Sequence, residues 1–77
     1  MVYGERIRWL RKQNGDTQEE LAKKLRIAVY TLRNYERERS QPDLMMIVSI
    51  CRLYHVSSDF LLGLTDQKPI IFTRYEN

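Results

Sequence analysis

With 77 residues, the chain has room for one domain, and a domain of that size buries only about 60% of the surface its unfolded form exposes, so modest stability is expected. A single cysteine, Cys51, and a single histidine, His55, exclude an intramolecular disulfide and a cysteine-rich zinc cluster and leave little material for catalysis, while the absence of any run near the roughly 18 apolar residues of a membrane span argues against insertion. The net charge of +3 is uneven: residues 1–41 carry ten Lys or Arg against six Asp or Glu, and residues 42–77 carry three against four. A basic half joined to a near-neutral one suggests a face for a polyanion beside a structural or pairing half. No metal, no cofactor and no enzymatic activity are expected, and a reducing cytoplasm fits best, since the N-terminus lacks a basic segment followed by an apolar run.

No repeat, low-complexity run or Gly/Ser linker divides residues 3–64, which read as one domain of five short helices followed by a tail over 65–77. Ile7 and Leu10, three apart with Trp9 beside them, are core candidates of a first helix over about 4–14, ended by Asn14-Gly15. Thr17-Gln18-Glu19-Glu20 has the form of a capping box, with Thr17 and Glu20 exchanging side-chain and backbone bonds. Leu21, Ala22 and Leu25 then make the apolar stripe of a second helix over about 18–25. After a break at Arg26-Ile27-Ala28, Leu32 and Tyr35 give the spacing of a third helix over about 28–37. Pro42 disfavours helix at Gln41. Asp43 can cap a fourth helix with apolar Leu44, Ile47, Val48, Cys51 and Tyr54, ending near His55. Ser57 and Gly63 bound a short fifth. The β-branched and aromatic run Ile70–Tyr75 has strand character but no partner strand in the chain; it can pair with another molecule, lie on the helices or stay disordered.

The run Thr17-Gln18-Glu19-Glu20-Leu21-Ala22-Lys23-Lys24-Leu25, followed by Ile27, Thr31, Leu32, Tyr35 and Glu36, resembles the phage-repressor and Cro-type (XRE-like) helix-turn-helix family. The likeness continues through Pro42, Leu44, Ile47, Val56-Ser57, Asp59 and Leu61-Leu62-Gly63. It implies an all-α, compact, five-helix lambda-repressor-like domain that binds double-stranded DNA as a transcriptional regulator. In that family the second helix crosses the DNA backbone and the third lies in the major groove. The matching base-contacting positions are Val29, Tyr30, Arg33 and Asn34; Asn pairs with adenine and Arg with guanine through two hydrogen bonds, and Val29 can touch a thymine methyl. Gln18, at a helix N-terminus, is a phosphate candidate by the same match, and Arg11, Arg37 and Arg39 flank the face as further ones. Glu36 is a solvated charge or an ion-pair partner of Arg11. Two departures stand out. Arg26 occupies a turn position where the family usually has Gly, and Ala28 replaces the small polar cap of the third helix, with Val29 and Tyr30 in place of polar readers.

Met45, Met46 and Leu53 fall where the family more often has polar surface. Together with Leu62, Leu64, Ile70 and Phe72 they suggest a homodimer interface, or else cover the edge of the core. A dimer would read a pseudo-palindromic operator. With a single domain, regulation is expected through abundance, the dimer equilibrium or another protein. The alternative is an antitoxin-like module that binds a partner protein through the same apolar residues. An RNA-binding reading is weaker, for want of an aromatic stacking platform.

Overall fold

A computed structural model describes residues 3–71 and places four helices among them: α1 (Tyr3–Gln13), α2 (Gln18–Leu25), α3 (Val29–Glu36) and α4 (Leu44–Tyr54). Each boundary follows from local chemistry. At α2 the expected capping box forms in both directions, Glu20 N donating to Thr17 Oγ1 at 3.0 Å and Thr17 N to Glu20 Oε1 at 2.8 Å. At α4, Asp43 Oδ1 accepts from Met46 N at 2.8 Å. His55 closes α4 in the left-handed region, at φ 57.

The six largest fully buried side chains are Ile7, Leu10, Leu21, Leu32, Ile50 and Leu61. They come from α1, α2, α3, α4 and the segment beyond α4, so every element contributes to one core, and α3 packs on both α1 and α2. The closest approach is at Gly4. A Cβ there would lie 2.6 Å from the backbone oxygens of both Tyr35 and Glu36, so only glycine lets the start of α1 meet the end of α3. Gly4 N also donates to Glu38 Oε2 at 3.0 Å.

The fifth helix does not form. Residues 59–63 make consecutive turns instead, with Leu62 N bonded to Ser58 O, Gly63 N to Phe60 O, and Gly63 at φ 79. So short a segment gains too few helical bonds to offset the cost of nucleation. It is held by side chains: Phe60 and Leu61 are buried, and Trp9 packs edge-on to Phe60 with centroids 5.5 Å apart. Arg6 extends this attachment past Gly63. Its Nη1 donates to Phe60 O and Thr65 O at 2.7 and 2.6 Å, its Nη2 donates to Asp66 Oδ1 at 2.6 Å, and its guanidinium lies 4.6 Å over the Phe60 ring. The first residues of the tail are thereby tied to α1. Ile70 and Ile71 carry no strand; Phe72 and the rest of the expected strand lie outside the described residues.

Candidate nucleic-acid interface

The connection between α2 and α3 is three residues long, and Arg26 sits in it at φ 60 and ψ 42. Arg26 N bonds to Lys23 O at 3.1 Å and Ile27 N to Ala22 O at 3.0 Å, a Schellman closure that needs this left-handed residue. A residue other than glycine adopts it at a cost of about 1 kcal/mol, so the turn forms with some strain where the family usually has Gly. Ala28 then begins α3 with extended geometry and no side-chain cap.

Within α3 only Leu32 and Glu36 are buried. At about 100° per residue, Tyr30, Arg33, Asn34 and Arg37 fall on the side opposite Leu32, within about 100° of one another. Tyr30 is 70% exposed and so is not packed against α2. Asn34 and Val29 are half-buried, and Val29 packs against the core, which leaves it only an edge to offer. Arg37 and Arg39 are exposed. Arg8, on α1, opens onto the same cleft as Gln18, Glu36 and Arg37. It is a phosphate candidate that no sequence pattern marked, because only the packing of α1 on α3 brings it there.

Arg11 does not belong to this surface, and the expectation that it contacts phosphate is corrected. Its Nε donates to Glu36 Oε2 at 2.7 Å, its Nη2 to Glu36 Oε1 at 3.0 Å and its Nη1 to Asp16 O at 3.0 Å. The two side chains are 9% and 3% exposed. Hydrogen bonding to Glu36 holds the Arg11 pKa above its ordinary value against the opposing effect of burial. Of the two readings of Glu36, the ion pair is therefore the one realised. Nearby, Asp16 accepts from Lys24 Nζ at 2.8 Å and from Tyr54 Oη at 2.8 Å. Gln18 is also engaged inward: its Nε2 donates to Glu36 Oε1 at 3.0 Å, and its Oε1 accepts from Arg33 Nε at 3.1 Å.

The expected dimer residues divide in two. Met45, Leu64 and Ile70 are 67%, 74% and 74% exposed, joined by Leu44 at 71%, which the sequence reading placed among the apolar positions of the fourth helix. Met46, Leu53 and Leu62 instead pack partly against the core. Phe72 lies outside the described residues.

A connection of three residues between two short helices, with a polar and basic outer face on the second, is the geometry of a helix-turn-helix, and the family model described as Helix-turn-helix matches residues 7–61. The chain belongs to the helix-turn-helix family of the phage-repressor, XRE-like type. It is 46% identical over 65 residues to the uncharacterized HTH-type transcriptional regulator YobD of Bacillus subtilis (strain 168), covering 84% of this chain and 58% of that protein. It is 43% identical over 63 residues to the HTH-type transcriptional regulator ImmR of the same organism, covering 82% and 50%. The chain thus spans little more than half the length of these curated relatives. Among solved structures, the N-terminal DNA-binding domain of SinR from Bacillus subtilis superposes with a TM-score of 0.72 at 31% identity, covering 79% of this chain and 90% of that one. The P22 c2 repressor in complex with synthetic operator 9T gives 0.72 at 26% identity, covering 79% and 92%. No helix among the described residues is long and apolar enough to cross a membrane.

Proposed function

We propose that this helix-turn-helix chain binds double-stranded DNA sequence-specifically as a dimeric transcriptional repressor, with α3 in the major groove. The observation that carries the reading is the single outward face of α3, where Tyr30, Arg33, Asn34 and Arg37 stand opposite the buried Leu32. Arg33 and Asn34 supply the two side chains suited to bidentate pairing with guanine and adenine, each such pair discriminating by about 1–3 kcal/mol. Tyr30 and the edge of Val29 offer apolar contact to thymine methyls. Arg8, Arg37 and Arg39 are the side chains proposed to meet the phosphates that flank the groove, with the backbone N–H at the start of α2 beside them. The P22 c2 repressor, whose fold this chain shares, has been captured on an operator. A regulator of this kind works in the cytoplasm and needs no cofactor.

The dimer rests on Leu44, Met45, Leu64 and Ile70, apolar residues left exposed in one copy of the chain. Two copies would set their α3 helices about 34–36 Å apart, one turn of DNA. The test is selection from a pool of random duplexes by the wild type and by the Arg33→Ala, Asn34→Ala double variant, followed by sequencing. Enrichment of an inverted repeat by the wild type alone is the expected result. Weak, salt-dependent binding with no enriched sequence from either protein would sink base readout through α3, and a co-purifying protein seated on the apolar residues would replace the homodimer.

A further inference from the structure

The Gln18 side chain joins two groups that lie at different depths. Glu36 is gripped by Nε and Nη2 of Arg11 and, as a carboxylate, can only accept, so the NH2 end of Gln18 must turn toward it. The amide oxygen is thereby turned outward, to accept from Arg33 Nε at 3.1 Å. An unbroken run of hydrogen bonds leads from an ion pair in the core, through Gln18, to the outer face of α3. With Nε tied, the Arg33 guanidinium keeps its two Nη groups for other partners. One of them lies 3.5 Å from Glu19 Oε2, at a carboxylate 68% exposed, a distance and exposure that make for a weak competitor. The Nη pair is a fork that fits O6 and N7 of guanine.

We infer that Gln18 is a positioning residue for base readout: it fixes Arg33 by Nε and presents the Nη fork to a guanine, setting sequence preference rather than general affinity. The inference rests on the reading of α3 as the base-contacting helix. Its physical basis is preorganisation. A free arginine must be ordered when DNA arrives, whereas one already held loses less freedom in the binding step. Both polar atoms of the Gln18 side chain are occupied in this role, so gripping a phosphate with them would mean releasing Glu36 or Arg33.

The test uses the full chain with Gln18→Leu, Arg33→Ala and the double variant, titrated against the selected duplex and a scrambled one at several salt concentrations. Gln18→Leu should lower the ratio of selected to scrambled affinity about tenfold. The loss should be confined to the guanine to which Arg33→Ala also becomes indifferent. Scrambled binding and its salt slope should be unchanged, and the double variant should lose no more than Arg33→Ala alone. Equal weakening on every duplex, selected and scrambled alike, would make Gln18 a phosphate contact and overturn the inference. If Arg33→Ala still selects the same site, base reading through Arg33 falls; if it does not, but Gln18→Leu does, only the positioning role falls. Should Gln18→Leu fail to fold, the Nε–H resonance of Arg33 in the wild type decides. Slow exchange with water supports the inference, and exchange at the rate of free arginine refutes it.

Discussion

Replacing Glu36 by glutamine probes the attachment of α3 most directly. Three donors converge on the carboxylate, Arg11 Nε and Nη2 and Gln18 Nε2, at 2.7, 3.0 and 3.0 Å. Glutamine keeps the shape but offers one oxygen and an NH2 group, so at least one donor must face a donor, and the buried Arg11 charge loses its counter-charge. Breaking one side of a buried pair costs about 3–5 kcal/mol. Arg11 keeps its bond to the Asp16 carbonyl, which places the expected loss near the lower end, about 3 kcal/mol. A 77-residue domain holds about 4–12 kcal/mol in total, so the variant should unfold at much lower urea, with a melting temperature down by about 12 °C or more. Urea titration followed by circular dichroism, checked against Trp9 fluorescence, measures it. The paired change Arg11→Met with Glu36→Leu should cost less than Glu36→Gln alone, because no charge is stranded. A loss under about 1 kcal/mol for Glu36→Gln, the size of an exposed pair, would refute the argument.

Ala28→Ser should stabilise the fold by about 1 kcal/mol, since the residue already has capping geometry and lacks only the side-chain acceptor; an unchanged denaturation midpoint would show that the Thr31 amide, bonded to Ala28 O at 3.0 Å, has nothing left to gain. Gly4→Ala should destabilise by about 1–3 kcal/mol through its clash with the carbonyls of Tyr35 and Glu36, measured by thermal melting. Burial, and then the hydrogen bond to Asp16, push the Tyr54 phenol well above its ordinary value. The unfolded phenol ionises near pH 10, so above that pH the folded state holds more protons than the unfolded one and stability falls as pH rises. Ultraviolet titration should therefore show Tyr54 ionising only with unfolding.

Much of this was legible in the sequence because it is local. Thr17 and Glu20 are three residues apart, Asp43 precedes an apolar run, and Arg26 stands where a left-handed residue closes α2; each signal lies within one turn of its effect. What was not legible depends on distant partners. Gly4 matters because of carbonyls more than thirty residues away, and Arg8 reaches the candidate interface only through the packing of α1. The segment after α4 carried helix signals at both ends, Ser57 and Gly63, yet is too short to propagate a helix and is fixed instead by Arg6 from the far end of the chain. Leu44 read as one of the apolar positions of α4 by periodicity, but it stands in the first turn and is left exposed.

Arg11 is the instructive case, since its charge and its place beside basic residues suited it to phosphate. The reason it lies inside follows from the make-up of α3. A helix of eight residues with a polar and basic face turned outward has little apolar surface left for attachment, and here Leu32 is its only fully buried hydrophobic residue. Glu36, one turn further on, continues the same inner face, and a carboxylate can be buried there only if it is paired and hydrogen-bonded. Arg11 from α1 and Gln18 from α2 meet that need together, so the polar group that anchors α3 also connects it to both neighbouring helices. The orientation of the outer face of α3 therefore depends on this charge pairing as well as on the apolar contacts of Leu32, Val29 and Tyr35. Substitutions at Arg11 or Glu36 are accordingly expected to lower the stability of the whole domain and, on the proposed reading of α3, to weaken DNA selection together with it.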